Sequence, residues 1–379
     1  MPERRARVGI SGSYGGLNLG DEAILTVMLA QLHAALPVDV TVLSRNPEDT
    51  LRRHPHIVRA VKPGSLGRRQ LVEFFAGLDL LILGGGGILY DADASTYLRD
   101  VLLAQEAGTP VMVHAVGVGP LKDPGTRKQV RDALNGVAAV TVRDRPSQRL
   151  LEDIGVEREV ALTADPAVLL QPEPLTLDEI LRAEALDPKA RLIGFSVREP
   201  GPAAPTLDPQ HYSALLANAA DFMVDRLEAE VVFIPMERSM VDVQHSHGVV
   251  AQMRHAQCAT VLKGEYSPGQ LVSLLQHFEF GVGMRLHFLI LCALAGLPLA
   301  GLPYGSKVSG FLEELELDAP ALESVSAGQL IAHLDRAWDQ RESVRAQVQR
   351  GLPALQARAR QNTAMAAGLL RQGRGRASA

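Results

Sequence analysis

Arg285 and His287 stand two positions apart in Phe280-Gly281-Val282-Gly283-Met284-Arg285-Leu286-His287-Phe288-Leu289. The apolar residues up to Gly283 read as a strand. Phe288 to Ala295 read as a helix that stops at Gly296, and Pro298 bars its continuation. A helix N-terminus carries free N–H groups and the positive end of the helix dipole, so it favours an anion. Arg285 adds a planar fork that matches a carboxylate or phosphate. His287 adds a group that takes up or releases a proton near neutral pH. After the next apolar run, Tyr304-Gly305-Ser306-Lys307 brings a mobile ammonium. Together these groups suit a small, multiply charged anion and a proton transfer.

Other segments extend the set. The run Val137–Val142 ends in Arg143-Asp144-Arg145-Pro146-Ser147, which puts Arg143 at the carboxyl end of a strand, where ligands bind; the bland alternative is a surface pair with Asp144. Gly12-Ser13-Tyr14-Gly15-Gly16-Leu17-Asn18-Leu19-Gly20-Asp21-Glu22 joins the first strand to a helix. Its glycines permit close backbone approach, but its spacing does not fit the dinucleotide fingerprint. Asp21 and Glu22 would repel a pyrophosphate and suit a neutral, hydroxyl-rich ligand such as a sugar; equally, they could only cap the helix. Gly84–Gly87 follows a buried strand and leads to Asp91. His114 reads as a satisfied core or strand-end histidine. His245-Ser246-His247 with His255 reads as exposed helix histidines, not a metal set.

The elements that must position these groups alternate between short apolar runs and helical patterns, which argues for parallel sheets with helices on both faces. Strands are expected at 7–11, 39–43, 78–83, 110–115, 137–142 and 161–163, then at 192–197, 230–234, 260–262, 280–283 and 299–302. Helices are expected at 22–35, 147–154, 212–227, 267–277 and 288–295. The fold class is therefore α/β, with two tandem Rossmann-like doubly wound domains, 1–175 and 176–350. The active site is expected in the interdomain cleft at the carboxyl ends of the strands. Residues 351–379 read as a C-terminal helix and Arg-rich tail.

Composition narrows the function. The chain has 379 residues, 46% apolar, with a net charge of only −5, which gives no global field for nucleic acid. Cys258 and Cys292 are its only cysteines and form no CxxC pair, so zinc, redox and disulfide frameworks are not indicated. No signal-peptide h-region and no apolar run of membrane-spanning length appear, so a cytoplasmic location is expected. From Arg341 onward the chain carries eight Arg and one Glu. This reads as a solvated closing helix, with attraction to an anionic membrane surface as the sharper alternative.

With these loops in hand, the sequence resembles the polysaccharide pyruvyl transferase family, especially its CsaB-like cell-wall branch. The resemblance rests on Asn18-Leu19-Gly20-Asp21-Glu22, Gly84–Gly87 with Asp91, Val142-Arg143-Asp144 with Ser147, Thr163-Ala164-Asp165-Pro166-Ala167, Ser196-Val197-Arg198, Gly283-Met284-Arg285-Leu286-His287, and Tyr304 with Lys307. One departure is the Gly305-Ser306 pair, where the resemblance leads us to expect Asp-Pro. It implies a fold like the GT-B glycosyltransferases, phosphoenolpyruvate as co-substrate, and a pyruvate ketal product. It implies that Arg143, Arg285, Leu286, His287 and Lys307 bind the donor, with His287, Arg285 and Lys307 catalytic. Asn18, Asp21 and Asp91 are expected on the acceptor side, and no cofactor or metal is expected. Family acceptors include lipid-linked N-acetylmannosamine. Rival readings are a GT-B nucleotide-sugar glycosyltransferase, a non-catalytic sugar-binding relative, and an NADP oxidoreductase in which Ser44-Arg45 meets a 2′-phosphate.

Overall fold

The short apolar runs of the sequence form strands in two separate parallel sheets, described here from a computed structural model. The structure describes residues 4–199, 208–238, 241–303, 305–322 and 324–377. The chain divides into two compact units, Met1–Leu17 with Asp21–Leu169 and Ala354–Ala379, and Asn18–Gly20 with Leu170–Pro353. Among the described residues no helix is long and apolar enough to cross a membrane.

In chain order the first unit is built from β1 (Ala6–Ser11), α1 (Leu19–Ala35), β2 (Val38–Leu43), α2 (Pro47–Arg53), β3 (Arg59–Val61), α3 (Arg68–Ala76), β4 (Leu80–Gly84), β5 (Gly87–Leu89), α4 (Ala94–Glu106), β6 (Val111–Val118), α5 (Pro124–Asn135), β7 (Ala139–Val142), α6 (Arg145–Asp153) and β8 (Val160–Leu162). Its strands are ordered β3-β2-β1-β4-β6-β7-β8, and β5 pairs with β6. β4 is buried along its whole length and β6 likewise, as expected of strands covered on both faces. The order reverses between β1 and β4, which makes their carboxyl ends the switch point where ligands bind in such sheets.

The second unit continues with α7 (Leu177–Ala183), β9 (Arg191–Ser196), α8 (Pro209–Leu227), β10 (Ala229–Phe233), α9 (Val241–Val250), β11 (Ala259–Val261), α10 (Pro268–Leu275), β12 (Phe280–Gly283), α11 (Leu286–Leu294), β13 (Leu299–Gly301), α12 (Ser306–Glu314), α13 (Ala327–Asp339) and α14 (Arg341–Ala377). Its sheet runs β11-β10-β9-β12-β13, all parallel. Here the switch point lies between β9 and β12, and α11 starts beside it. α11 is buried almost throughout, which explains its unbroken apolar sequence after His287.

Two strands escape the sequence reading. β3 is a three-residue strand that starts on the exposed Arg59, too short for a period to show. β5 starts on Gly87, the last residue of the glycine run, which reads as loop; Gly85 (φ +60°) and Gly86 (φ +79°) turn the chain between β4 and β5. The closing segment also differs from a solvated helix. α14 starts at Arg341, and from Ala354 it belongs to the first unit, burying Leu355, Ala359, Asn362, Ala366, Ala367 and Leu370.

Candidate functional site

The first unit gathers its polar groups at the carboxyl ends of β1, β4, β6 and β7. Arg143 follows β7 directly, and its side chain is only 3% exposed. Nη1 donates to Asp165 Oδ2 at 2.8 Å, and Nε lies 3.6 Å from Asp144 Oδ2. The surface pair with Asp144 is therefore replaced by a buried pair with Asp165. Burial opposes the charge, but Asp165, Asp144 and Asp21 outweigh it and hold the guanidinium's pKa above the usual arginine value. Two glycines make the space: a Cβ on Gly117 would sit 2.7 Å from Arg143 Nη2, and one on Gly87 3.4 Å away. Asp144 caps α6 by accepting from Ser147 N at 2.8 Å, and Ser147 Oγ in turn accepts from Val118 N at 2.8 Å.

The frame behind Arg143 comes from far along the chain. Asn362 of α14, fully buried, receives the Thr141 hydroxyl at 2.6 Å and the Thr163 hydroxyl at 2.9 Å, and donates to Ala164 O at 3.3 Å. Thr141 Oγ1 also accepts from Ala115 N at 2.7 Å. Ala115 has φ +48°, at a register shift in the β6–β7 pairing. A left-handed alanine costs on the order of 1 kcal/mol or more and persists only where surroundings impose it. Its neighbour His114 is not the satisfied histidine expected from sequence. It is 3% exposed, its Nδ1 finds no well-formed hydrogen bond among the described residues, and burial lowers its pKa to about 4 although a contact with its own backbone and Asp165 oppose that shift.

The carboxylates of the first glycine loop separate into two roles. Glu22 is buried, accepts from Gly15 N at 3.3 Å and meets His54 Nε2 at 3.0 Å, so it holds the loop. Asp21 is half-buried, and a Cβ on Gly86 would sit 3.0 Å from its Oδ1. Tyr14 is buried and donates to Gly84 O at 2.8 Å, joining the two glycine loops. Asp91 accepts from Lys122 N at 2.8 Å and Asp123 N at 3.2 Å, which closes the loop after β6.

The second unit arranges its own set around the start of α11. Arg285 is the N-cap of that helix, and its fork is engaged within the protein. Nε donates to Asp242 Oδ2 at 2.9 Å, Nη2 donates to Asp242 Oδ1, and Nη2 also donates to Glu237 Oε2 at 3.0 Å. Asp242 is fully buried at the start of α9 and accepts from Met236 N at 3.2 Å and Glu237 N at 3.0 Å as well. Leu286 is buried in the first turn and His287 is half-buried. Asn18–Gly20 belongs to this unit. Asn18 forms an antiparallel bridge with Glu237, Leu19 N donates to Met236 O at 2.8 Å, and Asn18 Oδ1 accepts from Gly20 N at 2.9 Å. A Cβ on Gly20 would overlap the imidazole of His287, so the glycine of Asn-Leu-Gly-Asp-Glu seats that ring. Asn18, expected on the acceptor side, thus shares a unit with Arg285, Leu286 and His287.

Lys307 lies in the first turn of α12, not in a loop, and is half-buried. Tyr304 lies outside the described residues. His245 is half-buried and stacks on Tyr212 with ring centroids 5.6 Å apart, and His255 pairs with Asp225 at 2.8 Å. Sequence reasoning missed Asp242, Asn362 and Glu237. The signal for Asp242 was its place in the first turn of a helix. For Asn362 it was a polar residue among small apolar ones at helical spacing.

Comparison with known proteins then fixes the family. The profile of the polysaccharide pyruvyl transferase family matches residues 18–306. The chain belongs to the polysaccharide pyruvyl transferase family. The match contains Arg143, Arg285, Leu286 and His287, and ends one residue before Lys307. The amylovoran biosynthesis protein AmsJ of Erwinia amylovora is 22% identical over 296 residues, 75% of this chain and 71% of that protein. This pyruvyl transferase family member therefore acts in polysaccharide pyruvylation as a transferase. Its fold is similar to that of S. aureus MnaA solved with UDP (TM-score 0.66, 10% identity, 94% of each chain). It is also similar to Neisseria meningitidis UDP-GlcNAc 2-epimerase (TM-score 0.61, 10% identity, 94% and 97%) and to Anabaena HepE solved with UDP and glucose (TM-score 0.59, 13% identity, 99% and 100%). At such identities the likeness concerns the fold alone. That fold is GT-B-like, as the sequence suggested.

Proposed function

We propose that this transferase takes its pyruvyl group from phosphoenolpyruvate and forms a ketal on two hydroxyls of a sugar in a cell-wall or exopolysaccharide precursor, with lipid-linked N-acetylmannosamine as the leading acceptor. The observation that carries the proposal is the seating of His287. A histidine held against Gly20, beside Arg285 at the N-cap position of α11, is a fixed proton carrier next to a helix end whose free N–H groups favour an anion.

The chemistry sets the roles. His287 protonates the methylene carbon of phosphoenolpyruvate, C2 becomes electrophilic, and one sugar hydroxyl adds to it. The C2–O bond to phosphate breaks, and the second hydroxyl closes the ketal. One hydroxyl proton balances the new methyl group, and the other leaves with inorganic phosphate. Arg143 and Arg285 bind the donor's carboxylate and phosphate, and Lys307 neutralises the departing phosphate. Glu237, whose side chain is 31% exposed, is the partner that a donor oxygen would displace from Arg285. Leu286 presents backbone at the helix start. On the acceptor side Asp21 receives a hydroxyl proton, while Asn18 and Asp91 act through the loops they close. The reaction is expected on an inner membrane face, in the cytoplasm.

A thermal-shift comparison separates this from nucleotide-sugar transfer. At about a hundredfold excess over its Kd a ligand stabilises by about 2.7 kcal/mol. Phosphoenolpyruvate should raise the Tm of the wild type and UDP should not, and Arg143→Met or Arg285→Met should abolish the shift. A shift with UDP alone would contradict the proposal.

A further inference from the structure

Arg45 is absorbed by none of the roles above. It follows β2, its backbone N–H donates to Tyr14 O at 3.0 Å, and its exposed guanidinium lies over the first glycine loop. Nη2 donates to Tyr97 Oη at 2.8 Å and to Ser13 Oγ at 3.2 Å. A Cβ on Gly16 would sit 3.1 Å from Nη1, so glycine there lets the planar group rest on the backbone. Tyr97 is buried on α4. In the turn before α4, half-buried Tyr90 donates its hydroxyl to Asp93 Oδ2 at 2.5 Å. Asp21 and Asp93 both act electrostatically on Arg45. With buried Tyr14 beneath the loop, three of the six tyrosines in the chain thus gather around Arg45.

We propose that Arg45, Tyr90, Asp93 and Tyr97 form a subsite for a neutral hexopyranose ring. One guanidinium faces two carboxylates, so the local charge opposes a phosphate or uronate, including the 2′-phosphate of a dinucleotide. A neutral sugar finds fixed donors on Arg45, acceptors on Asp93 and Asp21, and phenol groups that both donate and accept. The fork is held by Tyr97 and Ser13 before any ligand arrives, so little ordering is lost on binding. The inference rests on the pyruvyl-transfer reading only for calling this ring the acceptor.

The test is saturation-transfer NMR on the full chain without phosphoenolpyruvate, using methyl mannopyranoside, methyl galactopyranoside and methyl glucuronide as probes. Wild type should give signal with at least one neutral glycoside and little with the glucuronide. Arg45→Met and Tyr97→Phe should each lower that signal at least fivefold at unchanged Tm, and Gly16→Ala should do so by displacing the guanidinium. Equal signals from wild type and variants, no signal from wild type, or a preference for glucuronide would each overturn the subsite. Sugar binding without phosphoenolpyruvate-dependent product would leave the subsite standing and defeat the pyruvyl reading.

Discussion

Arg143 follows β7 and Arg285 occupies the N-cap position of α11 just after β12, each at the carboxyl end of a strand in its own unit. Both are paired with an aspartate, but the settings differ. Arg143 is walled by Gly117 and Gly87, and the loop that carries Asp165 is tied to Asn362. Arg285 shares its Nη2 between fully buried Asp242 and the partly exposed Glu237. The first arrangement fixes a charge in place. The second leaves Arg285 with one partner, Glu237, that solvent reaches. On the donor roles proposed above, Arg143 would offer a preorganised contact and Arg285 an exchangeable one.

The largest effect should come from Asp242→Ala. It strips the bidentate partner from a buried guanidinium and also leaves the Met236 and Glu237 amides unpaired. Breaking such a pair costs about 3–5 kcal/mol, and denaturant unfolding should report the upper end. Asp165→Ala should cost about 3 kcal/mol, nearer the lower end, because Asp144 stays 3.6 Å from Arg143. If Asp165→Ala proved costlier than Asp242→Ala, the ranking of the two settings would be reversed.

His114 sharpens the comparison through pH. Its pKa is about 4 in the folded protein against 6.5 ordinarily. The unfolded chain therefore binds more protons between those values, and stability falls as pH drops from about 6.5 to about 4. The loss is about 3 kcal/mol. His114→Gln should flatten the unfolding free energy across that window; an unchanged slope would remove His114 as its source. The smallest effect is expected at Glu237→Gln, where a partly exposed pair contributes at most about 1 kcal/mol to stability. Its mark should be kinetic, a lower KM for phosphoenolpyruvate at near wild-type Tm, and a raised KM would show that Glu237 is not displaced.

Much of this was legible in the sequence because the strands are buried apolar runs with glycine turns at their ends. Phe280–Gly283 was placed with its bounds, and most other strands within a residue or two. Arg143, Arg285 and His287 were legible as candidates because each follows such a run. Their partners were not. Asp165 and Asp242 are far from their arginines in sequence, and only folding pairs them. The buried role of Asn362 was hidden by an Arg-rich helix whose charges suggested solvent all round. That Asn18 belongs with the second unit was not legible, because its neighbours Asp21 and Glu22 belong to the first and only the bridge to Glu237 ties it to the second.

The most direct measurement is product analysis by mass spectrometry, run with phosphate release, on lipid-linked and free saccharides incubated with phosphoenolpyruvate. Wild type should release one phosphate per pyruvate ketal formed, and His287→Ala should slow both by about 10²–10⁴-fold. A ketal formed at near wild-type rate by His287→Ala, or no phosphoenolpyruvate-dependent product from the wild type on any sugar, would contradict the account.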